Sequence, residues 1–499
     1  MIAVGVQTGS ASADAQREAG ATALVLTGPQ RAAAVQEAQA GAAATARAIG
    51  LSAQEKLLVR DVVKDADGTV HTRYERTYEG LPVLGGDLVV HQRKNGARAT
   101  TKATGARISV PTTEAEAPAA TARSTARKVI WAATGKPTLA WETVVTGVQH
   151  DGTPSERHVI TDASTGKELY SYEAIETGTG NTQYSGQVTL GTAPSYTLTD
   201  TARGGHKTYD LNGGTNGTGS LFTNSTDTWG NGLASNRETA AADAHYGAAV
   251  TWDFYKNELG RNGIRGDGVA AYSRVHYGNA YVNAFWSDSC FCMTYGDGAG
   301  NAKPLTSLDV AGHEMTHGLT AATANLRYSK ESGGLNEATS DILGTAVEFY
   351  AANATDAGDY LIGEKIDIRG NGTPLRYMDT PSRDGNSADY WSTKVARLDV
   401  HYSSGPANHF FYLLSEGSGT KTINGVTYNS STYDGSTLTG IGRTKAYKIW
   451  YKALSTYMTS STTYAGARTA TLSAATDLYG ANSPEYTAVA KAWTAINVK

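Results

Sequence analysis

The order of hydrophobic and polar positions changes character several times along the chain. Residues 14–49 are rich in alanine with scattered Arg, Glu and Gln, a composition typical of a helix. From Leu57 the apolar positions alternate with a period of two, which predicts strands at 59–63, 69–74 and 87–90. The pairs Asp67-Gly68 and Gly85-Gly86 are typical of the turns between them.

A second group of alternating segments follows a linker rich in Pro, Ala, Thr and Glu at 110–121. We predict a βαβ-like unit there, with strands at 139–145, 158–162 and 169–172. The chain then divides near Glu176, in a glycine- and threonine-rich stretch that is a candidate cleavage site. The front piece carries no obvious chemistry.

The back piece begins with short strands and turns that reach about Thr226. A helix is predicted from Glu238 through Tyr255, and the chain is mostly helical after Leu305. Segregation of strands before helices predicts an α+β fold, with a β-rich lobe followed by a helical lobe.

Composition narrows the class of protein. The formal net charge is -4 and only 18% of the residues are charged, so neither nucleic acid nor an anionic membrane is expected as a partner. A run of about 20 apolar residues, which a membrane span requires, is missing. Abundant Gly and Tyr with few lysines favour a secreted enzyme.

The first residues resemble the end of a signal peptide. Residues 1–13 hold a short apolar stretch and then Ala11-Ser12-Ala13, typical of cleavage before Asp14. The basic segment that opens a signal peptide is missing, and a disordered cytosolic N-terminus is the alternative. The cysteines Cys290 and Cys292 fit a tight disulfide or two free thiols equally well.

The main chemical signal is the His-Glu-x-x-His segment of residues 313–317. On a helix, His313 and His317 project from one face and can bind one zinc ion, leaving a coordination position open for water. Glu314 lies about 100° around the helix, where it reaches that water without ligating the metal. Residues 306–309 resemble a capping box, so the motif is predicted just inside a helix start.

The next predicted helix supplies a matching stripe of carboxylates. Glu337, Asp341 and Glu348 fall on one face, and burying them requires cations or hydrogen-bond donors beside them. In a single antiparallel register Glu337 meets His317, Asp341 meets His313, and Glu348 meets Asp309. Glu337 is therefore predicted as the third zinc ligand and Asp341 as the acceptor of the second ring proton of His313. Asp309 with Glu348 predicts a hard cation, calcium.

These motifs resemble those of the thermolysin family of zinc metalloproteases. The resemblance rests on His-Glu-x-x-His, on residues 336–341 and on residues 283–286, and it extends from about residue 178 to the C-terminus. It implies that Glu314 is the general base and that Tyr328 and His401 hold the oxyanion. It further implies cleavage before bulky hydrophobic residues by a thermolysin-like, two-lobed catalytic unit. The implied substrate-binding residues are Asn283, Ala284, Arg376, Val310, Ile362, Ile366 and Leu375.

Some positions depart from the family pattern. Ala396 stands where the family has an aspartate, so Asp399 is expected to orient His401 instead. Asp359 and Glu364 match calcium ligands, whereas Leu361 replaces a glutamate, so at least one structural calcium is expected rather than a double site. Lys365 replaces an aspartate of another calcium site, which is expected to be absent.

The front piece resembles propeptides. Residues 73–83 resemble the propeptide motif of thermolysin-like and fungalysin-like proteases, and residues 141–172 resemble a PepSY segment. The resemblance implies a secreted, monomeric precursor in which an α/β propeptide assists folding and inhibits the enzyme. The predicted organisation is a signal peptide remnant at 1–13, a propeptide at 14–110, a PepSY-like segment at 111–176, a β-rich catalytic lobe at 177–325 and a helical lobe at 326–499.

Two other functions remain open at this stage. A peptide-binding or chaperone protein would keep the fold without turnover, but it would be expected to lose Glu314, Tyr328 or His401. A structural metalloprotein would need a fourth protein ligand on zinc, and no cysteine or further histidine is placed to supply it.

Overall fold

The computed structural model describes residues 24, 26, 28–118, 124–148, 154–174, 177–193 and 196–499. The predicted signal peptide remnant and Glu176 lie outside these residues. The chain divides into two compact units, Met1–Ala174 and Ile175–Lys499, here called the front unit and the back unit.

In the part of the front unit that the structure describes, one helix packs on a sheet. Its elements are α1 (Gly28–Ala48), β1 (Glu55–Lys64), β2 (Val70–Tyr78), β3 (Leu81–Leu84), β4 (Leu88–Gln92), β5 (Arg98–Lys102), β6 (Ser124–Trp131), β7 (Thr138–Val148), β8 (Pro154–Asp162) and β9 (Glu168–Glu173). The sheet order is β5-β4-β2-β3-β6-β7-β8-β9, with β1 also paired to β2. The strands predicted from the alternating pattern are therefore confirmed.

The predicted βαβ-like unit is wrong. Strands β6 to β9 pair in sequence order, and each of these pairs is antiparallel. Only residues 132–137 join β6 to β7, whereas a crossover between parallel strands needs a dozen residues or more. Alternation identifies strands but does not report how they are connected.

The back unit begins with short strands around one long helix. These elements are β10 (Thr177–Asn181), β11 (Gln187–Gly191), β12 (Thr199–Asp200), β13 (His206–Asp210), β14 (Ser220–Leu221), β15 (Thr228–Trp229), α2 (Arg237–Leu259), β16 (Tyr272–Val275), β17 (Ala284–Ser287) and β18 (Cys292–Tyr295). Helix α2 starts where Asn236 accepts the N–H of Glu238 and ends at Gly260, whose φ of 65° is left-handed. Strand β17 lies at the edge of the sheet β12-β13-β16-β18-β17.

Helices dominate the rest of the back unit. They are α3 (Leu308–Ala321), α4 (Lys330–Ala351), α5 (Val400–Ser403), α6 (Gly405–Glu416), α7 (Arg443–Thr456), α8 (Tyr464–Tyr479) and α9 (Pro484–Ala495), with hairpins β19 (Leu361–Ile362) to β20 (Arg376–Tyr377) and β21 (Gly419–Ile423) to β22 (Val426–Ser430). One hydrophobic core, including Trp229, Trp450 and Trp493, runs through the strands and the helices. The α+β class and the β-rich and helical parts are confirmed.

Two further features bear on the sequence analysis. Cys290 and Cys292 form a disulfide with a Cα–Cα distance of 5.3 Å. Among the residues that the structure describes, none of the helices has the length and apolar character of a membrane span.

Candidate metal centre

Helix α3 begins directly after Ser307, so the His-Glu-x-x-His segment lies inside the helix, as predicted. The predicted capping box does not form. The Ser307 hydroxyl donates to Asp309 Oδ1 at 2.6 Å instead of accepting a backbone N–H. Asp309 also accepts the N–H of Gly363 at 2.6 Å. The hydroxyl therefore acts as a donor to a buried carboxylate. A hydrogen bond to a charged acceptor is stronger than one between neutral groups.

Helices α3 and α4 approach closely because glycines face each other. A Cβ on Gly344 would lie 2.7 Å from the carbonyl oxygen of Asp309, and a Cβ on Gly312 would lie 3.0 Å from the Cα of Gly344. Only glycine fits at such a contact. The polar stripes of the two helices are thereby brought within the reach of one ion.

Three side chains converge on one point between the helices. One donor atom from each of His313, His317 and Glu337 lies within 4.8 Å of the others. The Nε2 atoms of the histidines are 3.1 Å apart, and each is 3.5 Å from an oxygen of Glu337. Glu337 is fully buried, and its Oε2 has no hydrogen-bond partner among the described residues. Two nitrogens and a carboxylate are the donors of a catalytic zinc site.

An acceptor oxygen beside Nδ1 fixes the tautomer of each histidine. Asn336 Nδ2 donates to the carbonyl of Leu326 at 2.9 Å, so its Oδ1 is the atom that faces His317 Nδ1 at 2.8 Å. His313 Nδ1 lies 2.9 Å from Asp341 Oδ1. Because Nδ1 donates in both rings, Nε2 is the atom available to a metal. Asn336 was not singled out from the sequence, since spacing does not show which way an amide points.

Asp341 also organises the surrounding side chains. Arg376 donates to both of its carboxylate oxygens, at 2.8 and 2.6 Å, and Asn408 donates to Oδ2 at 2.8 Å. Burial alone would raise the pKa of Asp341, but Arg376 and His313 hold it far below its usual value. Burial would lower the pKa of His313, but Asp341 and Glu337 raise it to about 9. The site therefore attracts positive charge.

Glu314 is buried beside these ligands without joining them. Burial raises its pKa to about 7, with Glu337 acting in the same direction and His313 against it. Its side chain is 6% exposed and lines the cleft. A carboxylate in that position can take up a proton at the mouth of the site.

Tyr328 and His401 face the same point from the open side. The Tyr328 hydroxyl donates to Glu337 and lies 3.2 Å from His401 Nε2. Asp399 caps helix α5 by accepting the N–H of His401 at 3.0 Å and also lies 2.7 Å from His401 Nδ1. Asp399 thus occupies the position expected of the residue that orients His401.

A cleft of about 770 Å³ opens onto this centre. Every substrate-binding residue predicted from the resemblance lines it, namely Asn283, Ala284, Val310, Ile362, Ile366, Leu375 and Arg376. Asp288 and Arg327 also line the cleft and were not foreseen. The cleft is therefore apolar on one wall and bounded by edge strand β17 on another.

A second acidic group lies at the other end of the α3–α4 pair. One oxygen from each of Asp309, Glu348 and Glu364 lies within 4.8 Å of the others. The backbone N–H of Asp359 donates to Glu348 Oε2 at 2.9 Å, which places Asp359 next to this group. Asp356 was missed from the sequence, because it lies in a loop where no helical period marks it.

The electrostatics of this group also favour a cation. Burial and mutual repulsion raise the pKa of Glu364 to about 10 and that of Asp359 to about 7. Glu348 Oε1 and Glu364 Oε2 are buried and have no hydrogen-bond partner among the described residues. Buried carboxylates require such a partner or a metal ion, and oxygen donors suit calcium.

Comparison with known proteins gives matches over most of the chain. Residues 177–321 match the catalytic domain of thermolysin metallopeptidases, and residues 324–498 match the alpha-helical domain of the same enzymes. Residues 55–97 match the fungalysin/thermolysin propeptide motif.

Individual proteins are also similar to the chain. A transglutaminase-activating metalloprotease from Streptomyces mobaraensis is 60% identical over 100% of this chain and 70% of its own length. A thermolysin from Alicyclobacillus acidocaldarius is 36% identical over 90% of this chain and 87% of its own. The solved precursor of protealysin from Serratia proteamaculans matches with a TM-score of 0.46 and 28% identity, over 62% of this chain and 90% of that chain.

Proposed function

The chain belongs to the thermolysin family of metallopeptidases, and from that membership we propose a zinc-dependent endopeptidase that cleaves before bulky hydrophobic residues. The observation that carries the proposal is the convergence of His313, His317 and Glu337, with both histidine tautomers fixed, directly beside Glu314. The two lone-pair nitrogens and the unpartnered Glu337 oxygen fit zinc.

His313, His317 and Glu337 would hold the zinc ion, which would supply Lewis acidity for the scissile carbonyl and the attacking water. Glu314 takes the proton from the attacking water and delivers it to the leaving amine. No covalent intermediate with the protein is needed. Tyr328 and His401 donate hydrogen bonds to the oxygen on which negative charge develops.

His401 needs a proton on Nε2 to act in this way, since its Nδ1 faces Asp399. The contact with Asp399 orients the ring so that Nε2 lies beside the Tyr328 hydroxyl. Tyr328 and His401 are half exposed, at 53% and 48%, so both reach the substrate side of the cleft.

The substrate binds as an extended strand. Asn283 and Ala284 lie at the free edge of the sheet that ends with β17, where a peptide can add as a further strand. Arg376 lines the cleft and is held by Asp341, so its guanidinium is positioned to bind a substrate carbonyl. Val310, Ile362, Ile366 and Leu375 form the apolar wall that accepts the residue after the scissile bond.

Calcium has a structural role in this proposal. Asp309, Glu348, Asp359 and Glu364 would hold the ion, which would tie helix α3 to helix α4 and to the segments on either side of β19. The ion would offset the repulsion between carboxylates that share one buried site.

We further propose that the protein is made as a secreted, monomeric precursor. The propeptide motif at 55–97 supports an intramolecular inhibitor in front of the catalytic unit. The proposed boundaries are those given above: 1–13, 14–110, 111–176, 177–325 and 326–499, with self-cleavage near Glu176. Because the 60% identical relative is named for activating a transglutaminase, a transglutaminase precursor is the first protein substrate to test.

The test is hydrolysis of an internally quenched peptide with leucine or phenylalanine after the scissile bond. Processed wild type is compared with Glu314→Gln, with and without phenanthroline. We expect wild type to cleave before the bulky residue, the chelator to stop it, zinc to restore it, and the variant to be silent. If zinc-loaded wild type cleaves no peptide, the peptide-binding alternative replaces the endopeptidase proposal.

A further inference from the structure

The hairpin of strands β17 and β18 carries both cysteines of the chain and forms part of the cleft wall. Trp286, in β17, and Asp288, in the turn at residues 288–291, line the cleft. Cys290 and Cys292 form their disulfide at the far end of the same turn. The disulfide therefore lies next to the cleft without taking part in the proposed reaction.

One half of the disulfide is anchored in the sheet. Cys292 is fully buried at the start of β18 and is paired with Tyr272 of β16. The disulfide ties Cys290 to this fixed point, and the Arg274 guanidinium also contacts the Cys290 sulfur at 3.8 Å. Phe291, between the two cysteines, has a φ of 54°, a left-handed conformation that bulky residues rarely adopt. The disulfide therefore restricts where the Phe291 ring can lie.

Phe291 in turn holds the Trp286 ring. The two rings meet edge to face, with centroids 5.2 Å apart and an interplanar angle of 82°. The Arg265 guanidinium lies over the Phe291 ring, with Cζ 3.7 Å from the centroid. Edge-to-face pairs and cation–π contacts both favour a fixed ring position. The indole Nε1 also donates to Asp288 Oδ1 at 2.8 Å, so the Trp286 ring is held by the turn on two sides.

The Trp286 ring packs on helix α3 at a distance from the apolar wall. A Cβ on Gly318 would lie 2.6 Å from Trp286 Cζ2, so the indole contacts the helix directly beside His317. Val310, which belongs to the apolar wall, lies about 12 Å earlier along the same helix. Because that wall accepts the residue after the scissile bond, the indole faces the substrate residues before the bond.

We propose that the disulfide and Phe291 are positioning groups for the peptidase: together they hold the Trp286 ring where it binds the substrate residues before the scissile bond. The backbone of Trp286 has its own support, because it pairs with Met293 across the hairpin. Loss of the disulfide is therefore expected to release the ring and to leave the metal centre intact. This inference rests on the proposed peptidase function.

The experiment compares two peptides that are identical after the scissile bond. The long peptide extends several apolar residues before the bond, whereas the short one has only a chromophore-blocked glycine there and does not reach Trp286. Processed wild type is compared with the double variant Cys290→Ser/Cys292→Ser. We expect the ratio of kcat/KM for the long peptide to that for the short one to fall roughly 10-fold, through a higher KM for the long peptide. Partial unfolding alone leaves this ratio unchanged, because the concentration of active enzyme cancels.

Two further samples make the test independent of how well the double variant folds. Phe291→Ala keeps the disulfide and removes the ring beside Trp286, so it is expected to lower the ratio in the same way. Reduction of folded wild type with a phosphine, followed by alkylation, is expected to do the same, since the chain has no other cysteine. The same treatment of the double variant reports any effect of the reagents on zinc and is expected to leave its ratio unchanged.

Tyr209→Ala is the matched control. Tyr209 forms a comparable edge-to-face pair with Tyr272 in the same sheet, with centroids 5.5 Å apart, and neither ring belongs to the lining of the cleft. Removing the Tyr209 ring is expected to lower stability and to leave the ratio unchanged.

The outcomes separate the disulfide from the peptidase activity itself. An unchanged ratio in reduced wild type or in Phe291→Ala would overturn the inference, and so would an equal fall in Tyr209→Ala. If zinc-loaded wild type cleaves neither peptide, the proposed function fails and the inference fails with it. If wild type cleaves both peptides and the ratio does not respond, the peptidase proposal stands and only the role of the disulfide is overturned.

Discussion

Single side chains decide which atom of each histidine is presented at the metal centre. Asp341 and Asn336 stand behind His313 and His317, and neither would touch the metal. Asp341 could be predicted, because it shares the helical period of Glu337. Asn336 could not, because only the contact of its amide with Leu326 shows that its oxygen faces the ring.

Replacing Asn336 with alanine is expected to weaken zinc binding about 10- to 100-fold, since His317 loses the acceptor that fixes its tautomer. The measurement is competition with a chromophoric chelator, which does not depend on activity. Asn371→Ala, on an exposed loop, is the control. Equal zinc affinity in a folded Asn336→Ala protein would show that the amide plays no such role.

Acid is expected to destabilise the back unit through His206. Burial, assisted by His245, lowers the pKa of His206 to about 3. Between the ordinary histidine value and that one the unfolded state binds more protons, so stability falls as the pH falls. We expect the free energy of unfolding, measured with urea, to be lower at pH 5 than at pH 7. His206→Gln is expected to reduce that difference by about 2 kcal/mol. If wild type and His206→Gln lose the same stability between pH 7 and pH 5, His206 is not the source of the acid sensitivity.

At the scale of elements, the site depends on how closely two helices pack and on where short helices begin. The stripes on α3 and α4 could be predicted together with their register, because helical periodicity is strict. The prediction of a βαβ-like unit failed because strands alternate with a period of two both in hairpins and in crossover units. The contact of Gly312 with Gly344 could be predicted only in part. The sequence shows both glycines, but it does not show how closely the two helices approach.

Gly344→Ala is expected to push α3 and α4 apart, because its Cβ would meet the backbone of α3 at 2.7 Å. We expect loss of stability by about 1–3 kcal/mol together with weaker zinc binding. Chemical denaturation and zinc competition measure the two effects. Gly41→Ala, in helix α1 with nothing within 4 Å of the added Cβ, is the control for helix propensity and should not destabilise the protein. A Gly344→Ala protein as stable as wild type would mean that the helices can separate freely.

Asp399→Ala is expected to lower kcat about 10-fold with little change in KM, since Asp399 both starts helix α5 and orients His401. Initial rates with the quenched peptide measure both constants. Thr463→Ala removes a comparable cap from helix α8, where the side chain accepts the N–H of Gly466. That control should cost about 1 kcal/mol of stability and leave kcat unchanged. Equal effects of the two variants on kcat would show that Asp399 acts as a cap alone.

At the scale of the whole molecule, the chain consists of two units with separate hydrophobic cores. The core of the back unit is continuous, whereas the described residues of the front unit bury their apolar side chains in three small clusters. The sequence indicated the division near residue 176, because composition changes there. The number of cores could not be predicted, since alternation does not show which strand faces pack on the same cluster.

The precursor proposal predicts that Glu314→Gln accumulates at full length, because the residue that activates water for self-cleavage is lost. Added wild type is expected to cut this variant near Glu176, and mass spectrometry identifies the new N-terminus. Cutting of the variant at the wild-type rate in the absence of added enzyme would contradict self-cleavage and point to another protease.

The three small clusters of the front unit also bear on the fate of that unit once it is released. Its largest cluster contains only six buried residues, among them Leu57, Tyr74 and Leu88. Small cores open locally at little free-energy cost and expose extended segments. Extended segments with leucine and tyrosine are the substrates proposed for the enzyme. A released propeptide is therefore expected to be consumed by the protease that it restrained, which makes activation a one-way event.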